Sequence, residues 1–442
     1  MKRTNILIFA AAGLGAVALM MAVSGVGFKR SRSETEVSGK PRVVVNRAAV
    51  LTRVNPATAS DWPQWRGPNR DGISSQTGIL TSWPETGLEI LWRARSGDGY
   101  SGISVVDGRL YTMYGIEADE FIVCLDAKQG KEQWRYRLDS KFTNQFGHGP
   151  RSTPSIDGGL VYGLGAKGKL VALDAGTGAV VWKHDLRKEY GGRIPTWGVA
   201  TSPLVYGDLL LVDVGGRQDY GVVAFNKKNG KLVWKTRTEI PGYSAPIAVT
   251  VGGIEQILCF TGNSLISVNP DNGALYWRYA WVTSYDVNAA TPIFIAPDKV
   301  FVSSGYNVGG AVLRMKTQDG KVAVEEVWKS RIMRNHFSTS LFVDGHLYGF
   351  DEGTLRCIDA LTQEKKWAKR GFGKGSLLYA DGHLIVLSER GKLVLVEARP
   401  EEYIERASAQ VLKGRCWTVP TLVNGRLYLR NQREILCLNF AG

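Results

Sequence analysis

Residues 170–182, LVALDAGTGAVVW, read as two short strands around a tight turn. LVALD and AVVW are rich in branched apolar residues, as half-buried pleated segments are. The AGTG between them supplies a glycine, which takes a positive φ without the steric penalty of a Cβ. The hairpin then recurs. IVCLDAKQGKEQW (122–134), VVAFNKKNGKLVW (222–234) and LISVNPDNGALYW (265–277) repeat it, and LRCIDALTQEKKW (355–367) does so with Gln363 in place of the glycine. Each full copy sets Asp or Asn first, Gly four positions on and Trp eight positions on. Such repetition in register with apolar strands marks a repeat architecture.

A second phrase precedes each of these: an apolar strand, an Asp-Gly-type turn and a strand of Leu-Tyr character. It stands at SVVDGRLYTM (104–113), PSIDGGLVYGLG (154–165), PLVYGDLLLVDV (203–214) and IAVTVGGIEQILCF (247–260). It returns at PIFIAPDKVFVSSG (292–305), SLFVDGHLYGF (340–350), SLLYADGHLIVLS (376–388) and PTLVNGRLYLR (420–430). The eight occurrences are separated by from under 40 to about 50 residues, the interval of four-stranded propeller blades. The Asp-Gly phrase supplies strands A and B of each unit, the Trp phrase C and D. The last unit ends on EILCLNF (434–440) without a D strand, while LEILWRA (88–94) at the other end is a D strand without a C strand. An N-terminal strand that completes the C-terminal blade closes the ring and removes its open edges. The expected fold is therefore all-β: an eight-bladed β-propeller over residues 88–442, with degenerate fifth and seventh blades.

The remaining segments divide simply. Residues 1–30 combine Lys2 and Arg3 with an uncharged stretch from Ile6 to Phe28, the pattern of an export signal or an N-terminal membrane anchor. Export to the periplasm or cell envelope follows as an expectation. Residues 31–60 are polar and basic, as a disordered linker is. Residues 61–87 open on DWPQWRGPNRDGIS, an irregular Trp/Pro/Gly-rich segment expected to form a plug or clasp on the domain's surface.

Composition narrows the function. The net charge is +14, but residues 1–60 hold nine Lys or Arg against two Glu, so half the excess precedes the repeats. No basic run interleaves with aromatics on one element, which argues against a nucleic-acid partner. Cys124, Cys357 and Cys437 occupy one repeat position, where Ala172, Ala224 and Ser267 stand in other copies, so a small buried side chain is wanted there. The G-x-G-x-x-G at 163–168 leads into a strand rather than a helix, so it has no helix N-terminus for phosphate. The histidines have no ligand spacing, and no metal site is expected.

The Asp/Asn-x-x-x-Gly-x-x-x-Trp phrase resembles the tryptophan-docking repeat of PQQ-type propellers, a superfamily that includes quinoprotein alcohol dehydrogenases and the outer-membrane assembly factor BamB. The resemblance covers roughly residues 88–440. It implies that Trp92, Trp134, Trp182, Trp234, Trp277, Trp328 and Trp367 pack blade against blade. For a dehydrogenase it also implies an adjacent Cys-Cys pair and a carboxylate set for calcium. No two cysteines here are adjacent, and Asp98 and Asp286 stand as isolated carboxylates, Asp286 being the one weak catalytic candidate.

The loops that run from each D strand back to the next A strand ring one mouth of the channel. They bring Tyr100, Arg151, Trp197, Tyr243, Asn288, His336, Arg415 and Trp417 to it as candidate ligand or partner contacts. The expected function is a non-catalytic exported scaffold that binds an envelope protein or polymer and needs no cofactor. The alternatives are a PQQ- and calcium-dependent alcohol or sugar dehydrogenase, and a polysaccharide-binding propeller.

Overall fold

The computed structural model describes residues 61–442; the leader and linker expectations fall on residues 1–60, outside the described residues. Eight antiparallel four-stranded sheets make eight blades. Seven are sequential meanders. The eighth joins Thr421–Val423, Arg426–Arg430 and Glu434–Asn439 to the N-terminal strand Ile90–Arg95. That strand runs antiparallel to Glu434–Asn439, so the ring closes as the sequence predicts. Among the described residues no helix is long and apolar enough to cross a membrane.

Burial orders each blade from axis to rim. The first strands are short and buried, as in Leu204–Tyr206, and contact the first strands of neighbouring blades. The last strands alternate, as in Leu275–Ala280, where Trp277 is buried between exposed and half-buried neighbours. This is the period-2 pattern of a strand with one face packed and one wet. Around the axis, hydroxyl side chains at the entry to each first strand link blade to blade. Thr153 Oγ1 accepts from the Gly102 amide at 2.9 Å, Ser202 Oγ from the Thr153 amide at 2.9 Å, and Thr339 Oγ1 from the Thr291 amide at 2.9 Å. Thr421 Oγ1 donates to the Ile103 carbonyl at 2.9 Å and so carries the girdle across the N-to-C junction. Arg430, fully buried, reinforces that junction by donating to the Ser101, Met113 and Gly97 carbonyls of the first blade and its approach.

The repeated hairpin accounts for the radial packing. The leading Asp or Asn caps the turn: Asp126 Oδ1 accepts from the Lys128 and Gln129 amides at 2.8 and 2.7 Å, and Asn226 and Asp359 do the same in their blades. The glycines at 130, 178, 230 and 273 hold φ of 71–74°, and a Cβ there would meet the ring of Trp92, Trp134, Trp182 or Trp234 of the preceding blade at under 3 Å. Gln363 adopts φ 66° at the same turn position, without the freedom of glycine. The indole N–H of each docking tryptophan reaches into the next blade: Trp92 to Ala127 O, Trp182 to Lys227 O, Trp234 to Pro270 O, Trp328 to Ala360 O. Trp277 differs. It packs on the fifth blade, but its N–H donates to Gln256 of its own blade, because the long hairpin Gly309–Gln318/Lys321–Ser330 lacks the short turn that offers a carbonyl.

The register explains the small-residue position. Cys124, Ala172, Ala224, Ser267, Cys357 and Cys437 each pair directly with the docking tryptophan of the neighbouring strand, and a bulge follows at once. In the seventh blade the pair is inverted to Leu395 and Ala407. All five cysteines are free and buried, and burial pushes the Cys124 thiol up to about 12.

The N-terminal segment, expected as a plug or clasp on the surface, has its anchors buried. Trp62, Arg66 and Arg70 are each less than 4% exposed. Residues 62–80 bond to all eight blades from the axis. Trp62 bridges Val105 and the Ile156 amide donates to Pro63 O at 2.8 Å. Arg70 donates to the Ser202, Pro203 and Pro246 carbonyls, and Arg66 to Thr339 and Ser340. Trp65 Nε1 donates to Thr291 Oγ1 at 2.9 Å, the Ser74 amide to Tyr379 O, and Gln76 Nε2 to Leu422 O. The segment is a plug. It goes inside because the first strands present unpaired carbonyls to the axis, and two guanidiniums satisfy what a dry channel cannot.

Candidate functional site

With the plug filling one end, the channel is left as a cavity of about 460 Å³ at the other. Its walls are the loops entering the first strands, and its floor is Trp65 of the plug. Of the residues singled out from sequence, Tyr100, Arg151, Trp197, Tyr243, His336 and Trp417 line it together. Asn288 does not. It is fully buried, donates to the Thr261 and Trp281 carbonyls at 2.8 and 3.2 Å and accepts from Ser304 Oγ, so it braces the loop rather than facing a ligand. Arg415 stands at the rim, its guanidinium 4.3 Å from the Trp417 ring centre and bonded to Phe146 O and Tyr100 Oη. Asp286 lies on a single turn of 3₁₀ helix behind the wall, with φ 58°, and Asp98 is paired with Lys141 at 2.8 Å.

Ten lining residues escaped the sequence reading, among them Trp65, Phe146, Tyr306, Phe337 and Lys374. The aromatics interlock. Tyr100 and Phe337 lie 5.3 and 4.9 Å from Trp417, Trp197 lies 5.9 Å from Tyr243, and Tyr306 lies 5.0 Å from His336. Such centroid separations fix rings against one another and leave their faces for a guest.

The polar atoms are few and one-sided. Arg151 sits 4.6 Å over Phe142 and donates to the Gly147 and Gly149 carbonyls; burial lowers its pKa to about 10. Lys374 lies across the cavity wall and has no ion pair among the described residues. Burial, helped by the charge of Lys374, lowers His336 to about 4, so its ring is neutral at pH 7, and its Nδ1 is buried without a hydrogen-bond partner among the described residues. No carboxylate lines the cavity. Glu389 is close, but its two oxygens accept the Trp417 indole N–H at 3.1 Å and the Lys374 amide at 3.1 Å, so it orients the wall. Glu120 is buried behind the wall and accepts the Phe142 and Ala166 amides. Among the described residues no group of three His, Cys, Asp or Glu stands close enough to hold a metal ion. The arrangement can stack a planar group and pair it with positive charge.

A family model described as outer membrane protein assembly factor BamB matches residues 118–369. The quinoprotein alcohol dehydrogenase PedH of Pseudomonas putida is 28% identical over 160 residues, 34% of this chain and 26% of that protein. The chain thus spans about a quarter of the length of that dehydrogenase. The outer membrane protein assembly factor BamB of Yersinia pestis is 24% identical over 296 residues, 62% of this chain and 70% of that protein. In structure, the quinohemoprotein alcohol dehydrogenase of Comamonas testosteroni superposes with a TM-score of 0.62 at 14% identity, over 88% of this chain and 81% of that one, a likeness of fold.

Proposed function

The chain belongs to the family described as outer membrane protein assembly factor BamB, and from that premise we propose that it is a non-catalytic scaffold which engages an envelope protein or polymer through its aromatic mouth. One observation carries this reading: the cavity combines nine aromatic or imidazole rings with two cations and no carboxylate. That is binding surface with no lining carboxylate to serve as partner to the neutral His336 in an acid–base pair.

A dehydrogenase would have to use the same donors. PQQ would find rings in Trp197 and Trp417 and cations in Arg151 and Lys374. Calcium takes six to eight oxygen ligands, chiefly carboxylates and carbonyls. Glu389, beside Trp417 and Lys374, already accepts two hydrogen bonds, and Asp98 is paired. The residues present do not fit the quinone–calcium pair, and no oxidation step is derived from them.

The test uses the full chain. Supplied with PQQ and calcium, it should reduce no dye with a panel of alcohols and sugars. Turnover that disappears in Arg151→Ala would overturn the scaffold reading. Crosslinking should instead capture a specific envelope component, lost when Arg151, Tyr243 and Trp417 are replaced together while the thermal midpoint holds.

A further inference from the structure

Positive charge gathers on one sector of the face that surrounds the opening. In an antiparallel blade the B-to-C turn lies at the same end as the D-to-A loop. Residues 370–375, 388–391, 411–417 and 431–433 therefore share that face, on blades six to eight. They carry six cations, Arg370, Lys374, Arg390, Lys413, Arg415 and Arg433, against one carboxylate, Glu389. Backbone bonds tie the loops into a single surface. The Glu389 amide donates to Phe372 O, the Cys416 amide to Glu389 O and the Leu412 amide to Gly391 O, and Asn431 Nδ2 donates to Lys413 O at 2.8 Å.

The acids beside these cations are engaged elsewhere. Glu434, next to Arg433, pairs with Arg93 at 2.6 Å, and Glu389, next to Arg390, accepts the Trp417 indole and the Lys374 amide. Arg370, Arg390, Lys413 and Arg433 are exposed, and none is ion-paired among the described residues. Like charges held close and unpaired repel one another, a cost that an anionic surface laid over them would remove. Across the opening, on the loop 281–292, Val282 and Tyr285 are 70% and 69% exposed, the barest large apolar side chains among the described residues. Tyr285 is nonetheless held in place, its ring 5.9 Å from Trp197 and 6.1 Å from Tyr306.

Two features favour a lipid surface over an acidic protein. Cations on four separate loops demand carboxylates at matching positions from a folded partner, whereas lipid headgroups diffuse in the plane to each cation in turn. A protein interface also buries a contiguous apolar centre. Here the apolar groups are isolated loop tips flanking the charge, which suit the headgroup layer, where tyrosine is at home. Anionic lipids attract Lys and Arg that come within a Debye length of them.

We infer that this face of the propeller docks on an anionic bilayer, the cations of blades six to eight among the headgroup phosphates and Val282 and Tyr285 at the level of the interface. The inference goes beyond the scaffold reading and does not depend on it, since Arg370, Arg390, Lys413, Arg433, Val282 and Tyr285 do not line the cavity. It sets the opening toward the membrane, so a partner that enters it lies at the membrane surface.

The test uses the full chain with vesicles of phosphatidylcholine alone and of phosphatidylcholine mixed two to one with phosphatidylglycerol. Every variant keeps residues 6–28, so binding through that uncharged stretch is common to all. In low salt the mixed vesicles should be bound at least tenfold more tightly than phosphatidylcholine. Replacing Arg370, Arg390, Lys413 and Arg433 together by Gln should abolish that preference while the thermal midpoint holds. Val282→Ser with Tyr285→Ser should weaken binding to mixed vesicles and leave its salt dependence unchanged. Amide exchange reads the face itself: mixed vesicles should slow residues 281–286 and 411–416, and phosphatidylcholine should not. Slowing that is equal for both vesicles, or that survives the four-fold Gln replacement, would overturn the inference. So would poly-glutamate that protects these amides where mixed vesicles do not, an outcome that assigns the face to an acidic chain.

Discussion

At the scale of the residue, the groups with the most perturbed chemistry serve the frame. Asp213 is buried at the end of a second strand, and burial raises its pKa to about 7 against two backbone N–H donors, Gly242 and Gly215, that pull it down. Its folded pKa lies above the unfolded value, so its contribution is full below about 4 and is lost as pH rises through 7. Stability should therefore decline across that window by a few kcal/mol, and Asp213→Asn should flatten the decline in denaturant titrations at stepped pH. His336 has the opposite sign: its folded pKa is depressed, so its contribution is present above about 6.5 and is lost as pH falls toward 4. The two slopes oppose each other, which makes the single variants the informative measurement. A wild-type-like decline in Asp213→Asn would show that the carboxyl is not the source.

At the scale of the element, each blade solves one packing problem. A last-strand indole needs a neighbour without a side chain beneath it and a small residue beside it. The sequence states both needs, as glycine at 130, 178, 230 and 273 and as Cys, Ala or Ser opposite every docking tryptophan but Trp328, which faces Val312. Removing such a ring leaves a cavity between blades at a cost of about 3–5 kcal/mol. Trp182→Ala should fall in that range by chemical denaturation. Trp417→Ala, half-buried at the mouth, should cost markedly less. If Trp417 proved the more destabilising, the division between packing and mouth tryptophans would fail.

At the scale of the molecule, closure depends on contacts between the two ends of the chain. The strand Ile90–Arg95 pairs with Glu434–Asn439, Arg430 binds carbonyls of the first blade, and the plug bonds to every blade from within. Deleting residues 88–94 would expose Glu434–Asn439 as an open edge, a template for pairing between copies. Light scattering and calorimetry should show aggregation or loss of the single cooperative melt. A truncated chain that stays monomeric with an unchanged midpoint would sink the N-to-C ring.

Blade number and strand order were legible in the sequence because they follow from local chemistry: strand period, turn glycines and a Trp phrase all act within about fifteen residues; closure was legible from the unmatched strand at 88–94 and the missing last strand after 434–440. The seats of Tyr100, Arg151, Trp197, Tyr243, His336 and Trp417 at the mouth were legible for the same reason, since each lies a few residues before a recognisable strand. Asn288 shows the limit: its position is right but its side chain turns inward to backbone carbonyls that only the packed loop presents. Trp65 lies further beyond sequence reading. Its partner Thr291 is 226 residues away, and the plug has no period to betray it. The sequence by itself determined the ring, because strands and turns are decided by near neighbours. The tertiary structure alone decided that the channel is stopped at one end and floored by a tryptophan, because that depends on which carbonyls the closed ring leaves unpaired at its axis.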